Sequence, residues 1–170
     1  MIQNQIPSDI QTLNKLHETY EWIPNEYMVR PNSIEMSKKN FLIEIIEDEW
    51  LTPADYILHK VFNQPFILSE EIYKKYVPCI NVSIPEIVFT ESLFRYNLPC
   101  YANHYILWFS KINYISGKDI INSELINEII KKELNKKTNN FDFAWYLNPK
   151  PSVPDFFHVQ VFWISTPSSA

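Results

Sequence analysis

The chain has 170 residues, 46% of them hydrophobic, and a formal net charge of −5 at pH 7. That length suits one substantial core rather than two, and the acidic balance argues against broad electrostatic capture of nucleic acid or of an anionic membrane. Its two cysteines, Cys79 and Cys100, are too few for a disulfide scaffold or a zinc knuckle, so the expected compartment is reducing and cytoplasmic.

The opening MIQNQIPSDIQTLNKL lacks a basic n-region and an apolar run, and no stretch reaches the roughly 18 apolar residues of a spanning helix. A soluble, intracellular protein with no membrane partner is the expectation. Ser8 can cap a helix carrying Ile10, Leu13, Leu16 and Tyr20, and Ser37 precedes a second with Phe41, Leu42, Ile45 and Ile46 on one stripe. In 52-TPADYILHKVF-62, Thr52 is a candidate N-cap, Pro53 suits the first helical position and Asp55 the first turn. A fourth helix is predicted from Ser69, with Ile72, Tyr73, Tyr76 and Val77 apolar before Pro78 stops it. His17 and His59 fall on predicted helices with no acidic or nucleophilic neighbour in register.

From Cys79 the pattern changes to short β-like runs and then to a strand, 103-NHYILWFSK-111. Alternation puts His104, Ile106 and Trp108 on one face and Tyr105, Leu107 and Phe109 on the other, both apolar, as in a central strand. Gly117 is the only glycine, which disfavours the glycine-rich loops that cradle phosphates. The spacing then predicts one long helix over 119–137, with Ile121, Leu125, Ile129 and Ile130 inward and lysines in the last turns. Two strands follow, 141–147 and 156–164, joined by a Pro-rich turn.

The order gives an α+β fold in a single domain, 1–170: N-terminal helices over about 8–77, then a mostly antiparallel sheet with one long packed helix over about 79–164. In the last strand His158, Gln160 and Phe162 point one way and Phe157, Val159, Val161 and Trp163 the other. If strand 103–111 pairs nearby, His104 opens onto the same side, with Asn148 and Ser152 at the strand ends, and the set makes a candidate ligand pocket. Arg95, one of two arginines, could clamp an anion or brace a loop through a carboxylate. Each histidine could equally be a core residue bonded to backbone carbonyls. Metal-ligand spacings and a G-x-S-x-G elbow are missing, so no metal, no cofactor and no serine hydrolase chemistry are expected.

The stretches 55-DYILHKVF-62, 97-NLPCYANHYILWFSK-111 and 148-NPKPSVPDFFHVQV-161 together resemble the fungal N-acetylglucosamine-induced protein 1 family, whose shared domain carries no established activity. The resemblance spans about residues 40 to 163, and the matching positions are Asn97, Pro99, His104, Trp108, Asn148, Pro149, Ser152, Val153, Pro154 and His158. It implies that Asn97 joins the candidate ligand-binding set. Cys100 stands where that family has Tyr, and Gln160 at the second histidine of its ending. A weaker likeness is to the histidine-triad nucleotide-binding fold, whose nucleophilic middle histidine falls here on Gln160. A carboxamide cannot serve as that nucleophile, because its nitrogen lone pair is delocalised into the carbonyl. The leading expectation is therefore a non-catalytic pocket for a small phosphate-containing ligand, a nucleotide or nucleotide-sugar. The alternatives are a protein-interaction or structural subunit of a larger assembly, and a hydrolase or transferase using a histidine general base.

Overall fold

The computed structural model describes residues 33–80, 83–95, 101–147 and 151–167. The helix predicted from Ser8 lies outside them. Among the described residues two helices come first, α1 (Ser33–Glu49) and α2 (Pro53–Lys60). A small hairpin follows, β1 (Ile67–Leu68) and β2 (Lys75–Tyr76). The strands β3 (Ile87–Glu91) and β4 (Asn103–Phe109) precede helices α3 (Tyr114–Ile120) and α4 (Ser123–Asn135). Strands β5 (Phe141–Tyr146) and β6 (Phe157–Ser165) close the order. The class is α+β, as the element order predicts. Among the described residues, no helix is long and apolar enough to cross a membrane.

The main sheet is antiparallel throughout, in the order β3-β4-β6-β5. Strands β4 and β6 are central, so both their faces must be apolar, and each face carries its own core. On one side Leu107, Phe109, Phe157, Val159 and Val161 meet Ile126, Ile130 and Leu134 of α4. On the other, Trp108, Ile106 and Val88 meet Tyr56, Ile57 and Leu58 of α2, with Leu42 and Ile46 of α1 behind them. The result is a sheet clad by helices on both faces. The alternation read from the two strands is the one observed.

Several elements differ from their predicted form. The helix α1 starts at Ser33, and Ser37 lies inside it, its hydroxyl donating to the Ser33 carbonyl at 3.1 Å. Of its apolar stripe only Leu42 and Ile46 reach the core, while Phe41 is 65% exposed. The segment from Ser69 is not a helix. Ser69 starts a tight turn in which the Tyr73 amide donates to its carbonyl at 2.8 Å, and Tyr73 sits at φ 56°, which ends any helical continuation. Ile72 and Tyr73 are exposed, so their helical spacing had no core to serve.

The long helix over 119–137 is broken in two. Ile121 is extended, at φ −89° and ψ 121°, and Asn122 restarts the chain by accepting from the Leu125 amide at 2.8 Å. The restart rotates the buried stripe to Ile126, Ile130 and Leu134, leaving Leu125 exposed and Ile129 only partly buried. Lys131, Lys132, Lys136 and Lys137 stay in solvent. Gly117 permits α3 to lie directly on β6: a Cβ there would overlap the fully buried ring of Phe157. Backbone bonds from Tyr114 N to Pro154 O at 3.0 Å and from Phe157 N to Ile112 O at 2.7 Å fix that approach.

Candidate functional site

The site begins with how α2 is set over the sheet. Thr52 is the N-cap, its hydroxyl accepting from the Asp55 amide at 3.2 Å, with Pro53 in the first turn. Asp55 also accepts from the Val77 amide at 2.9 Å, which ties the helix start to the β1–β2 hairpin. At the other end Asn63 takes a left-handed conformation, φ 59°, and the Gln64 amide returns to the Leu58 carbonyl at 3.0 Å. These ties hold Ile57, Lys60 and Val61 above the polar stripe of β6. Between helix and sheet lies a cavity of about 140 Å³, walled by Trp108 and Ile106 and lined by His158, Gln160 and Ser152. Leu93 and Phe94, beyond β3, close one side.

Within this cavity the two polar side chains of β6 have defined roles. His158 is buried, and its Nδ1 lies 2.8 Å from the Phe156 carbonyl oxygen. A carbonyl only accepts, so Nδ1 carries the proton and Nε2 keeps a lone pair. Among the described residues that Nε2 has no hydrogen-bond partner. The ring is wedged between Trp108, at 4.6 Å between centroids, and Tyr114, at 5.4 Å. Burial holds its pKa below the ordinary histidine value, and the bond to the Phe156 carbonyl acts in the opposite sense.

Gln160 pairs across the ladder with Ile106, two positions along from the Trp108–His158 pair. Its Oε1 accepts from His104 Nε2 at 2.6 Å, and its amide nitrogen has no protein partner among the described residues. His104 lies on the same face of the adjacent strand, buried and stacked on Phe162 at 4.7 Å. Burial, with a smaller contribution from the nearby Arg95 charge, lowers its pKa from 6.5 to about 4, so the ring is neutral at physiological pH.

The predicted site residues are thus divided. His158, Gln160 and Ser152 line the cavity under α2. His104 and Arg95 line a second, polar crevice of about 260 Å³ with Glu35, Glu91 and Asn103; Glu91 lines both spaces, and the His104–Gln160 bond joins them. Asn97 and Asn148 lie outside the described residues. No protein-family model matches the chain, and neither a curated protein nor a solved structure matches it. The geometry is therefore the guide to its chemistry.

Reading the sequence missed the opposing wall: Ile57, Lys60 and Val61 of α2, with Leu93 and Phe94. The signal available was 55-DYILHKVF-62, shared in the resemblance above but assigned no role. Lys60, in the last turn of α2, is exposed, makes no ion pair among the described residues, and lines the cavity together with Ser152 and Glu91.

Proposed function

We propose that the protein binds a nucleotide or nucleotide-sugar in the cavity between α2 and the sheet, and does not cleave it. The observation that carries this reading is a lone-pair nitrogen on His158 and a Gln160 amide with no protein partner among the described residues, two positions apart on one face of β6, in a mainly apolar cavity whose other polar lining is Lys60, Thr90, Glu91 and Ser152. Polar groups that a bound ring would cover cost free energy unless the ring pairs with them, and a ligand ring with complementary edges does so. About 140 Å³ is close to the roughly 150 Å³ of an engineered cavity that holds benzene, so one six-membered ring fits and the rest of the ligand extends outward. At the mouth, Lys60 supplies a cation and Ser152 a hydroxyl for a phosphate.

Absence of cleavage is supported by the residue at 160. A likeness to the histidine-triad arrangement would put the nucleophile there, and a carboxamide is not one. His158 is oriented by a backbone carbonyl rather than a carboxylate, so no acid steadies the imidazolium that a general base would become.

The test is a thermal-shift screen of nucleotides, sugar phosphates and nucleotide-sugars. A ligand at one hundred times its Kd stabilises by about 2.7 kcal/mol, which for a chain of this size raises Tm by roughly 5–10 °C. Val61→Phe, which fills the cavity, should remove the response. A flat response across the panel would overturn the reading and favour the second one, a protein-interaction subunit. That alternative is supported by the exposed apolar residues of the β1–β2 hairpin: Ile67, Leu68, Ile72 and, at 76% exposure, Tyr73.

A further inference from the structure

His104 contributes no atom to the cavity under α2, yet it governs what that cavity offers. A carboxamide oxygen only accepts, so the 2.6 Å contact requires that His104 donate from Nε2. With Oε1 turned to His104, Gln160 presents its N–H groups, which have no protein partner among the described residues, to a ligand. His104 cannot readily swing away, because it is buried and stacked on Phe162. On His158 the Nδ1 proton is committed to the Phe156 carbonyl, which leaves an acceptor. The cavity therefore offers a donor at 160 and an acceptor at 158, two positions apart on one face of β6, over a floor of Ile106 and Trp108.

We infer that His104 is a specificity-determining residue: by fixing the Gln160 carboxamide it makes the cavity select a six-membered ring with a carbonyl beside an N–H, a uracil-type edge, over one with an amino group beside a bare ring nitrogen, a cytosine-type edge. The inference rests on the nucleotide reading given above. In the favoured ligand the carbonyl accepts from Gln160 and the ring N–H donates to His158 Nε2. Held by its phosphate at Lys60 and Ser152 in the same pose, and so unable to turn over, the disfavoured ligand sets an amino group against an amide N–H and a ring lone pair against the His158 lone pair. Both mismatches leave buried polar groups unpaired, and sites built to hydrogen-bond a ligand discriminate most strongly for that reason. The neutrality of His104 at physiological pH keeps the arrangement fixed over the working range.

The experiment is isothermal titration of the full chain with uridine monophosphate and cytidine monophosphate, each on the wild type, His104→Phe and His104→Gln. The wild type should prefer the uridine ligand by roughly ten-fold or more, the scale set by leaving one buried group unpaired. His104→Phe keeps an aromatic ring against Phe162 but has no donor, so the carboxamide is free to turn over and the preference should fall to within about three-fold. His104→Gln, whose own amide can donate to Oε1, should restore it. A preference unchanged in His104→Phe, with both ligands still bound, overturns this inference and leaves the nucleotide reading standing. Failure of both ligands to bind the wild type overturns the two together. If His104→Phe does not fold, ¹⁵N NMR of the wild-type histidines decides: the inference requires the Nε2–H tautomer at His104, and an Nδ1–H tautomer overturns it.

Discussion

Acidification should unfold the protein through His104, and the structure sets the size of the effect. The ring is buried, and its pKa falls from 6.5 to about 4 in the folded state. Unfolded, the imidazole takes up its proton near its ordinary value while the folded ring stays neutral. The unfolded state therefore binds more protons throughout this window, and stability declines as pH falls from about 6.5 to about 4, with no further loss below. At 1.36 kcal/mol for each pH unit the difference comes to about 3 kcal/mol, a large fraction of a typical domain's stability. His158, also lowered by burial, acts in the same direction. Urea denaturation followed by tryptophan fluorescence, at steps from pH 7.5 to 4, measures the effect in the wild type and in His104→Phe. Phenylalanine does not titrate, so the wild type should lose stability more steeply than the variant by about 3 kcal/mol over the window, while carboxylate contributions common to both cancel. Parallel profiles would mean that His104 reaches solvent or is charged in the fold, and the reasoning would fail.

Further outcomes follow from the packing. Ile130→Ala should cost roughly 2–5 kcal/mol by chemical denaturation, because Ile130 is fully buried against the sheet, whereas Leu125→Ala should cost well under 1 kcal/mol. Equal costs would mean that the stripe of α4 is misassigned. Gly117→Ala should destabilise by roughly 1–3 kcal/mol despite alanine's better helix propensity, since the new methyl overlaps Phe157; a stabilised variant would show that α3 does not approach β6 so closely. Gln160→His places a ring nitrogen where a triad-type nucleophile would stand, and chromatographic assay with nucleoside phosphoramidates should show weak cleavage at most, because the surrounding shell was not built for it. Robust turnover by the wild type, abolished by His158→Ala and unaffected by Gln160→Ala, would instead make His158 the reactive group.

What could be read in advance depended on how local the deciding physics was. The faces of β4 and β6 were legible because alternation is a property of the strand itself, and the start of α2 because Thr52, Pro53 and Asp55 act within one turn. The segment at Ser69 misled because Ile72, Tyr73 and Tyr76 repeat at helical spacing, yet the fold uses them in a turn and a two-residue ladder with little to bury them. The break at Ile121 and Asn122 was hidden because Ile-Ile-Asn-Ser reads as continuous helix until Asn122 caps the next turn. At the site, the shared face of His104, His158 and Gln160 was visible in the alternation. The separation of His104 from the cavity was not, because it depends on where α2 sits, and that is decided by contacts distant in sequence such as Asp55 with Val77.

The central claim is that a ligand ring occupies the cavity between α2 and β6. Its most direct test is NMR of the chain titrated with uridine monophosphate, monitoring the Gln160 side-chain amide, the Trp108 indole and the Ile57 and Ile106 methyls. The expected result is saturable shifts at all four, with Overhauser contacts from the ring protons to the isoleucine methyls. Shifts confined to the β1–β2 hairpin, or none at saturating ligand, would contradict it.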